Sequence, residues 1–224
     1  MVMKFQTDFQ YNSRETKARY VWEKYGEILR GSILDVGADE CHLRPWLPGD
    51  VRYWGIGLGG NPDQQVNLEE EGVPFAAESY DCVLCLDVLE HLANPHAVFD
   101  ELCRVSRNYV IVALPNAWPL VWRIVTSWFT RGPLPRTKYY GLPVEPALDR
   151  HKWFFSADDA EAFLIYRAQK NGMAVVQVDD YEYTPSRRRR MRNRVAGLLL
   201  SRAAQRNLFT ETVWVVLQKQ KPAN

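Results

Sequence analysis

Tyr80-Asp81-Cys82-Val83-Leu84-Cys85-Leu86-Asp87-Val88-Leu89-Glu90-His91-Leu92 decides how the rest of the chain is read. It opens as an apolar run of strand length, turns acidic at Asp87 and resumes as a short mixed stretch. Asn94-Pro95 follows as a helix N-cap with a first-turn proline. Val98, Phe99, Leu102 and Val105 then recur at helical spacing. Asn108 to Leu114 is a second apolar strand, stopped by Pro115. A strand, a helix and a strand in succession make a crossover unit, whose strands run parallel.

The same alternation continues on both sides. Upstream, residues 13–29 read as a helix, with Tyr20, Val21, Tyr25, Ile28 and Leu29 on one side and Gly31 as a stop. Ser32 to Gly37 is a buried strand ending in Asp and Gly. Val51 to Leu58 is another, and Gln65 to Leu68 a short third. Downstream, Ser156 and Asp159 open a helix that closes at Asn171-Gly172. A sixth strand lies within Met173 to Tyr183 and a seventh within Glu211 to Lys219. The expected fold is α/β: a doubly wound, mostly parallel seven-stranded sheet with helices on both faces. We read one domain over residues 1–224. An irregular Pro- and aromatic-rich insertion at about 117–155 reads as a substrate cap or lid, and a basic one follows at about 184–207.

Composition narrows the field. The 224 residues carry 28 Lys and Arg against 27 Asp and Glu. Eight of those Arg, and no acid, lie between Arg187 and Arg206, so a mildly acidic body carries one basic patch. Cys82 and Cys85 are spaced C-x-x-C, but residues three apart on a strand point to opposite faces. They read as core packing, and no metal site is expected. The start, Met1 to Tyr11, is polar and lacks a signal-peptide pattern. No apolar run is long enough to span a bilayer. We expect a cytoplasmic, reduced protein.

Two stretches resemble the class I S-adenosylmethionine (SAM)-dependent methyltransferases. One is Ile33-Leu34-Asp35-Val36-Gly37, a strand running into a glycine turn. The other is Tyr80 to Leu92 with Asn94-Pro95 and Leu102-Cys103-Arg104-Val105, which is similar to the F-D-x-V…D-V-L-E-H-L stretch of small-molecule members. Asn67-Leu68 and Val73-Pro74-Phe75 fit the same spacing. The resemblance implies a Rossmann-like sheet with an antiparallel last strand, and SAM as cofactor. It implies cofactor contacts from Asp35, Gly37, Ala38, Gly57, Leu58, Asn67, Leu68, Asp87 and Val88.

The chain departs from that pattern twice. The family's D-x-G-x-G-x-G reads Asp35-Val36-Gly37-Ala38-Asp39-Glu40-Cys41 here, so one glycine of three is present. Gly55-Ile56-Gly57 stands where G-I-D is usual, and the ribose loses its expected carboxylate. Asp63 and Asn61 are the nearby substitutes. Asp39→Gly combined with Gly57→Asp is expected to tighten SAM.

Candidates for the chemistry follow from position. His151 or Asp149 could take a proton from an oxygen acceptor, with Tyr139, Tyr140 and Trp153 as walls. His91 reads either as a pocket base or as a structural hydrogen-bonder. Residues 118–129 place Trp118, Val121, Trp122, Val125, Trp128 and Phe129 on one helical face. That is the pattern of a packed lid or dimer helix, or of a helix lying in a membrane interface. Arg187 to Arg206 reads as a basic amphipathic helix. Arg187, Arg188, Arg189 and Arg190 could grip phosphate, pyrophosphate or an anionic lipid headgroup. The acidic remainder argues against nucleic acid.

The leading expectation is O-methylation of a small or lipid-linked acceptor, with a glycan suggested by the Tyr139 to Phe155 segment. Two rivals stand beside it. One is a non-catalytic methyltransferase-like module that has lost SAM. The other is a nucleic-acid-binding relative resting on the Arg run.

Overall fold

The computed structural model describes residues 4–130, 139, 150–184 and 186–220. Its frame is a seven-stranded sheet of order β3-β2-β1-β4-β5-β7-β6. At the centre, β1 (Ser32–Val36) pairs in parallel with β2 (Arg52–Gly57) and with β4 (Tyr80–Leu86). β2 carries the two-residue β3 (Gln64–Gln65), and β4 carries β5 (Ser106–Pro115). β7 (Thr212–Lys219) inserts antiparallel between β5 and β6 (Met173–Tyr181). Chain order reverses between β1 and β4, and ligands of such sheets sit beyond the strand ends at that switch point.

The helices cover both faces. α1 (Arg14–Tyr25) packs on one face, and α2 (Pro95–Val105) and α4 (Ala157–Lys170) on the other. Side-chain alternation sorts the strands between them. Leu34, Val36, Val83 and Cys85 enter the α2–α4 core. Ile33, Cys82, Leu84, Ile111 and Trp214 enter the α1 core. Cys82 and Cys85 therefore point to opposite faces, and both are buried and unpaired. Each crossover helix starts where the sequence supplies a cap. Asn94 accepts from the amide of Ala97, with Pro95 behind it, and Ser156 and Asp159 form a reciprocal capping box.

Several expected boundaries shift. The helix read over 13–29 stops at Tyr25, because Gly26 closes it; Ile28 and Leu29 are buried in the connection instead. β3 precedes the expected 65–68 strand, because Val66 and Leu68 turn into the core around a tight turn at Asn67. The single basic helix divides into α5 (Arg187–Leu199) and α6 (Arg202–Phe209), because the Ser201 side chain accepts from the amide of Ala204 and starts a new helix. Within the first insertion, α3 (Trp118–Thr130) is helical, as its stripe predicts. Tyr140 and Asp149 lie outside the described residues.

Candidate active site

The loop that leaves β1 is where the glycine pattern fails, yet its backbone keeps a glycine-like path. Gly37 has φ +82°, Asp39 φ +52° and Cys41 φ +53°. These are the three positions at which the family pattern places glycine. All three residues thus sit in the left-handed region, which asparagine and aspartate tolerate better than most side chains. Gly37 is fixed by contact as well as by φ, since a Cβ there would lie 2.2 Å from Val88 Cγ2. The amides of Gly37 and Ala38 donate to the Ile56 carbonyl at 2.7 and 3.0 Å, which ties the loop to the end of β2.

Asp39 packs against the turn that follows β2. Its carbonyl accepts from the Asn61 amide at 2.9 Å, and a Cβ on Gly60 would lie 2.7 Å from its Oδ1. Arg14 on α1 donates to Asp39 Oδ2 at 2.6 Å and offsets its charge. Asp63 is occupied elsewhere: its carboxylate accepts from the Gly55 amide at 2.7 Å and pairs with Arg44. It braces β2 rather than reaching the cleft.

A cleft of about 750 Å³ opens between this loop, the end of β4 and the N-terminal segment. It brings together Asp35, Gly37, Ala38, Asp87, His91 and His151, drawn from three separate parts of the chain. Gly57, Leu58, Asn67, Leu68 and Val88 do not line it. Gly57 lies behind the loop, where a Cβ would stand 3.4 Å from Gly37 Cα. Leu58 is exposed and Leu68 is core. Asn67 accepts from the Glu69 amide at 3.2 Å in its own turn.

The wall that sequence reading missed comes from the N-terminal segment: Tyr11, Ser13, Arg14 and Lys17. Lys17 donates to Asp87 Oδ2 at 2.5 Å and sits 5.0 Å from the Trp214 ring centroid. Tyr11 stacks on Tyr181 with centroids 3.9 Å apart. Burial, and then the charge of Asp87, push its phenol well above the usual range. No local pattern marks these residues, because their partners lie far along the chain.

On the opposite wall, the 3-10 turn Leu89–His91 meets the segment at His151. The Lys152 amide donates to the Glu90 carbonyl at 2.8 Å, and Trp153 Nε1 to the Leu92 carbonyl at 2.7 Å. The His91 and His151 rings stand nearly perpendicular, with centroids 4.7 Å apart. Tyr139 packs edge-on against His151 at 5.3 Å. Asp35, at the base of the cleft, accepts from Tyr53 Oη at 2.7 Å; burial pushes its carboxyl up to about 6, opposed in part by that hydrogen bond.

Residues 59–114 match a family model described as a methyltransferase domain. That segment begins beyond the altered loop and ends with β5. No curated protein sequence matches the chain. Among solved structures, a SAM-dependent methyltransferase from Archaeoglobus fulgidus superposes with TM-score 0.59 at 14% identity, covering 93% of this chain and 95% of that one. The magnesium protoporphyrin IX methyltransferase of Synechocystis, with bound S-adenosylhomocysteine, gives 0.54 at 14%, covering 96% and 90%. The [4+2]-cyclase SpnF also gives 0.54, at 12% identity, covering 96% and 86%. At these identities the likeness is one of fold, and a fold hosts more than one reaction.

Proposed function

We infer that this chain is a class I SAM-dependent methyltransferase and that it methylates a hydroxyl oxygen of a small or lipid-linked acceptor in the cleft between β1 and β4. The observation that carries this reading is the loop Gly37-Ala38-Asp39-Glu40-Cys41. It holds three left-handed residues where the family has glycines, and strain of that kind persists where a ligand-binding backbone needs it.

The cleft suits the cofactor. Its volume lies in the range of small-molecule sites. Arg14 and Lys17 would meet the amino-acid carboxylate, Asp87 the ammonium, and Asp39 the ribose hydroxyls. When bound, SAM supplies an electrophilic methyl on a positively charged sulfur. The protein's part is placement: holding the acceptor oxygen in line with that methyl and keeping water out. His151 and His91 face the cleft beside the Glu90 carboxylate, so either imidazole is placed to take the hydroxyl proton as the C–O bond forms.

A lipid-linked or anionic acceptor is favoured by the helices flanking this face. α5 carries Arg187, Arg190 and Arg194 exposed, and Arg123 on α3 lines the cleft itself. Arg206 is not part of that patch. It bridges Asp158, Glu161 and Asp180, which weakens the nucleic-acid reading of the Arg run.

Calorimetric titration with S-adenosylhomocysteine tests the proposal. A micromolar or tighter constant, followed by methyl transfer to hydroxyl acceptors, is the expected result. Absence of binding to demonstrably folded protein would favour a non-catalytic module.

A further inference from the structure

The C-x-x-C pair gave no reason to expect a metal, but the fold assembles a different donor set. Glu90 Oε1 lies 3.6 Å from His91 Nε2 and 4.0 Å from His151 Nε2. One donor atom from each residue can be chosen so that all three lie within 4.8 Å of one another. These gaps exceed a direct hydrogen bond. They approach the roughly 3.3 Å that separates two donors on one tetrahedral ion with bonds of about 2.0–2.1 Å.

The surroundings favour an ion as well. The Glu90 side chain is fully buried and that of His151 is 8% exposed, whereas His91 is 25% exposed and opens on the cleft. The three residues sit on two segments that backbone and indole hydrogen bonds lock together, so little rearrangement is needed to close on an ion. The perpendicular imidazole rings aim from different directions.

We propose that Glu90, His91 and His151 form a binding site for a single divalent transition-metal ion of the zinc class. Two imidazoles and one carboxylate suit such an ion, whereas magnesium prefers oxygen donors and retained water. Three protein ligands leave a coordination position open, as in catalytic rather than structural sites. That position faces the cleft. If the methyltransferase reading holds, on which this last step rests, an acceptor hydroxyl would enter it and ionise more readily, its proton passing to water at the open mouth of the cleft. The imidazoles would then be ligands rather than bases.

The test uses untagged full-length protein, dialysed against Zn²⁺ and then against metal-free buffer, with bound metal counted by mass spectrometry. One equivalent per chain is expected. Co²⁺ in place of zinc should give the visible absorption of a low-coordinate nitrogen–oxygen site. His151→Ala and Glu90→Gln should each weaken Zn²⁺ at least tenfold in protein that circular dichroism shows to be folded. No retained metal in folded protein, or metal retained equally by both variants, would overturn the site. Metal binding without S-adenosylhomocysteine binding would leave it standing and remove the methyltransferase reading instead.

Discussion

At the scale of single residues, Asp35 carries the sharpest prediction. Its carboxyl is buried and pushed up to about 6 from an ordinary value of 3.8. The folded value thus lies above the unfolded one, so the fold favours the protonated form. This residue's cost to stability is fully present above about pH 6 and relieved as pH falls towards about 4. Asp35→Asn keeps an acceptor for Tyr53 and removes the titration. It should stabilise the protein at pH 7 by up to about 3 kcal/mol, taking two units at 1.36 kcal/mol each. It should also flatten the stability profile between about pH 4 and 6. Urea unfolding at three pH values measures both, and an unchanged profile would show that Asp35 is not the group responsible. Asp39 carries the second. If it replaces the missing β2 acid, Asp39→Gly alone should weaken S-adenosylhomocysteine about tenfold, the loss of one charge-assisted hydrogen bond. Adding Gly57→Asp should restore wild-type affinity or better, since a Cβ at Gly57 meets Gly37 Cα at a tolerable 3.4 Å. Equal affinity in all three proteins would show that Asp39 does not touch the ligand.

At the scale of elements, the sequence shows what is local and hides what is not. The strands around β1 and β4 are legible because apolar runs of strand length alternate with capped helices. Asn94-Pro95 and Ser156 to Asp159 mark their helix starts by chemistry that a neighbouring amide satisfies. Two failures have the same physical origin. The basic helix reads as continuous because its composition barely changes, and one serine hydroxyl divides it. The short third strand is misplaced because Val66 and Leu68 have strand character but find their burial as core side chains beyond a turn. For the site, the turn Asp87 to His91 is legible as a unit, but its partners are not. Lys17 meets Asp87 from 70 residues away, and Arg14 meets Asp39 from 25. The altered loop shows the opposite limit. Its sequence argues that the glycine path is lost, while the backbone angles at Asp39 and Cys41 show it kept, because packing against β2 and Gly60 can impose a conformation that propensity only disfavours.

At the scale of the whole molecule, polarity is distributed to one side. α6 contacts both α3 and α5, and α3 reaches the cleft through Arg123. α5 turns Met191, Val195, Leu198 and Leu199 outward at helical spacing, with Leu198 and Leu199 each 86% exposed. α3 exposes Trp118, Trp122, Val125 and Trp128 in the same way. Apolar stripes flanked by exposed Arg187, Arg190 and Arg194 match the chemistry of an anionic membrane surface, where arginines meet headgroups and leucines and tryptophans enter the acyl boundary. None of the helices, among the described residues, is long and apolar enough to cross a membrane. We propose that this face rests on anionic lipid and presents the cleft to a lipid-linked acceptor. The protein should then co-sediment with phosphatidylglycerol-containing vesicles but not with pure phosphatidylcholine, and less so as salt rises. Removing three arginines by Arg187→Ala, Arg190→Ala and Arg194→Ala should cost roughly 3 kcal/mol, at about 1 kcal/mol each, or about a hundredfold in partitioning. Leu198→Asp should weaken binding without touching an arginine, which separates insertion from simple charge attraction. Equal binding to both vesicle types would reject the electrostatic part. Self-association abolished by Leu198→Asp, with no vesicle binding, would show that a second copy of the chain covers the stripe.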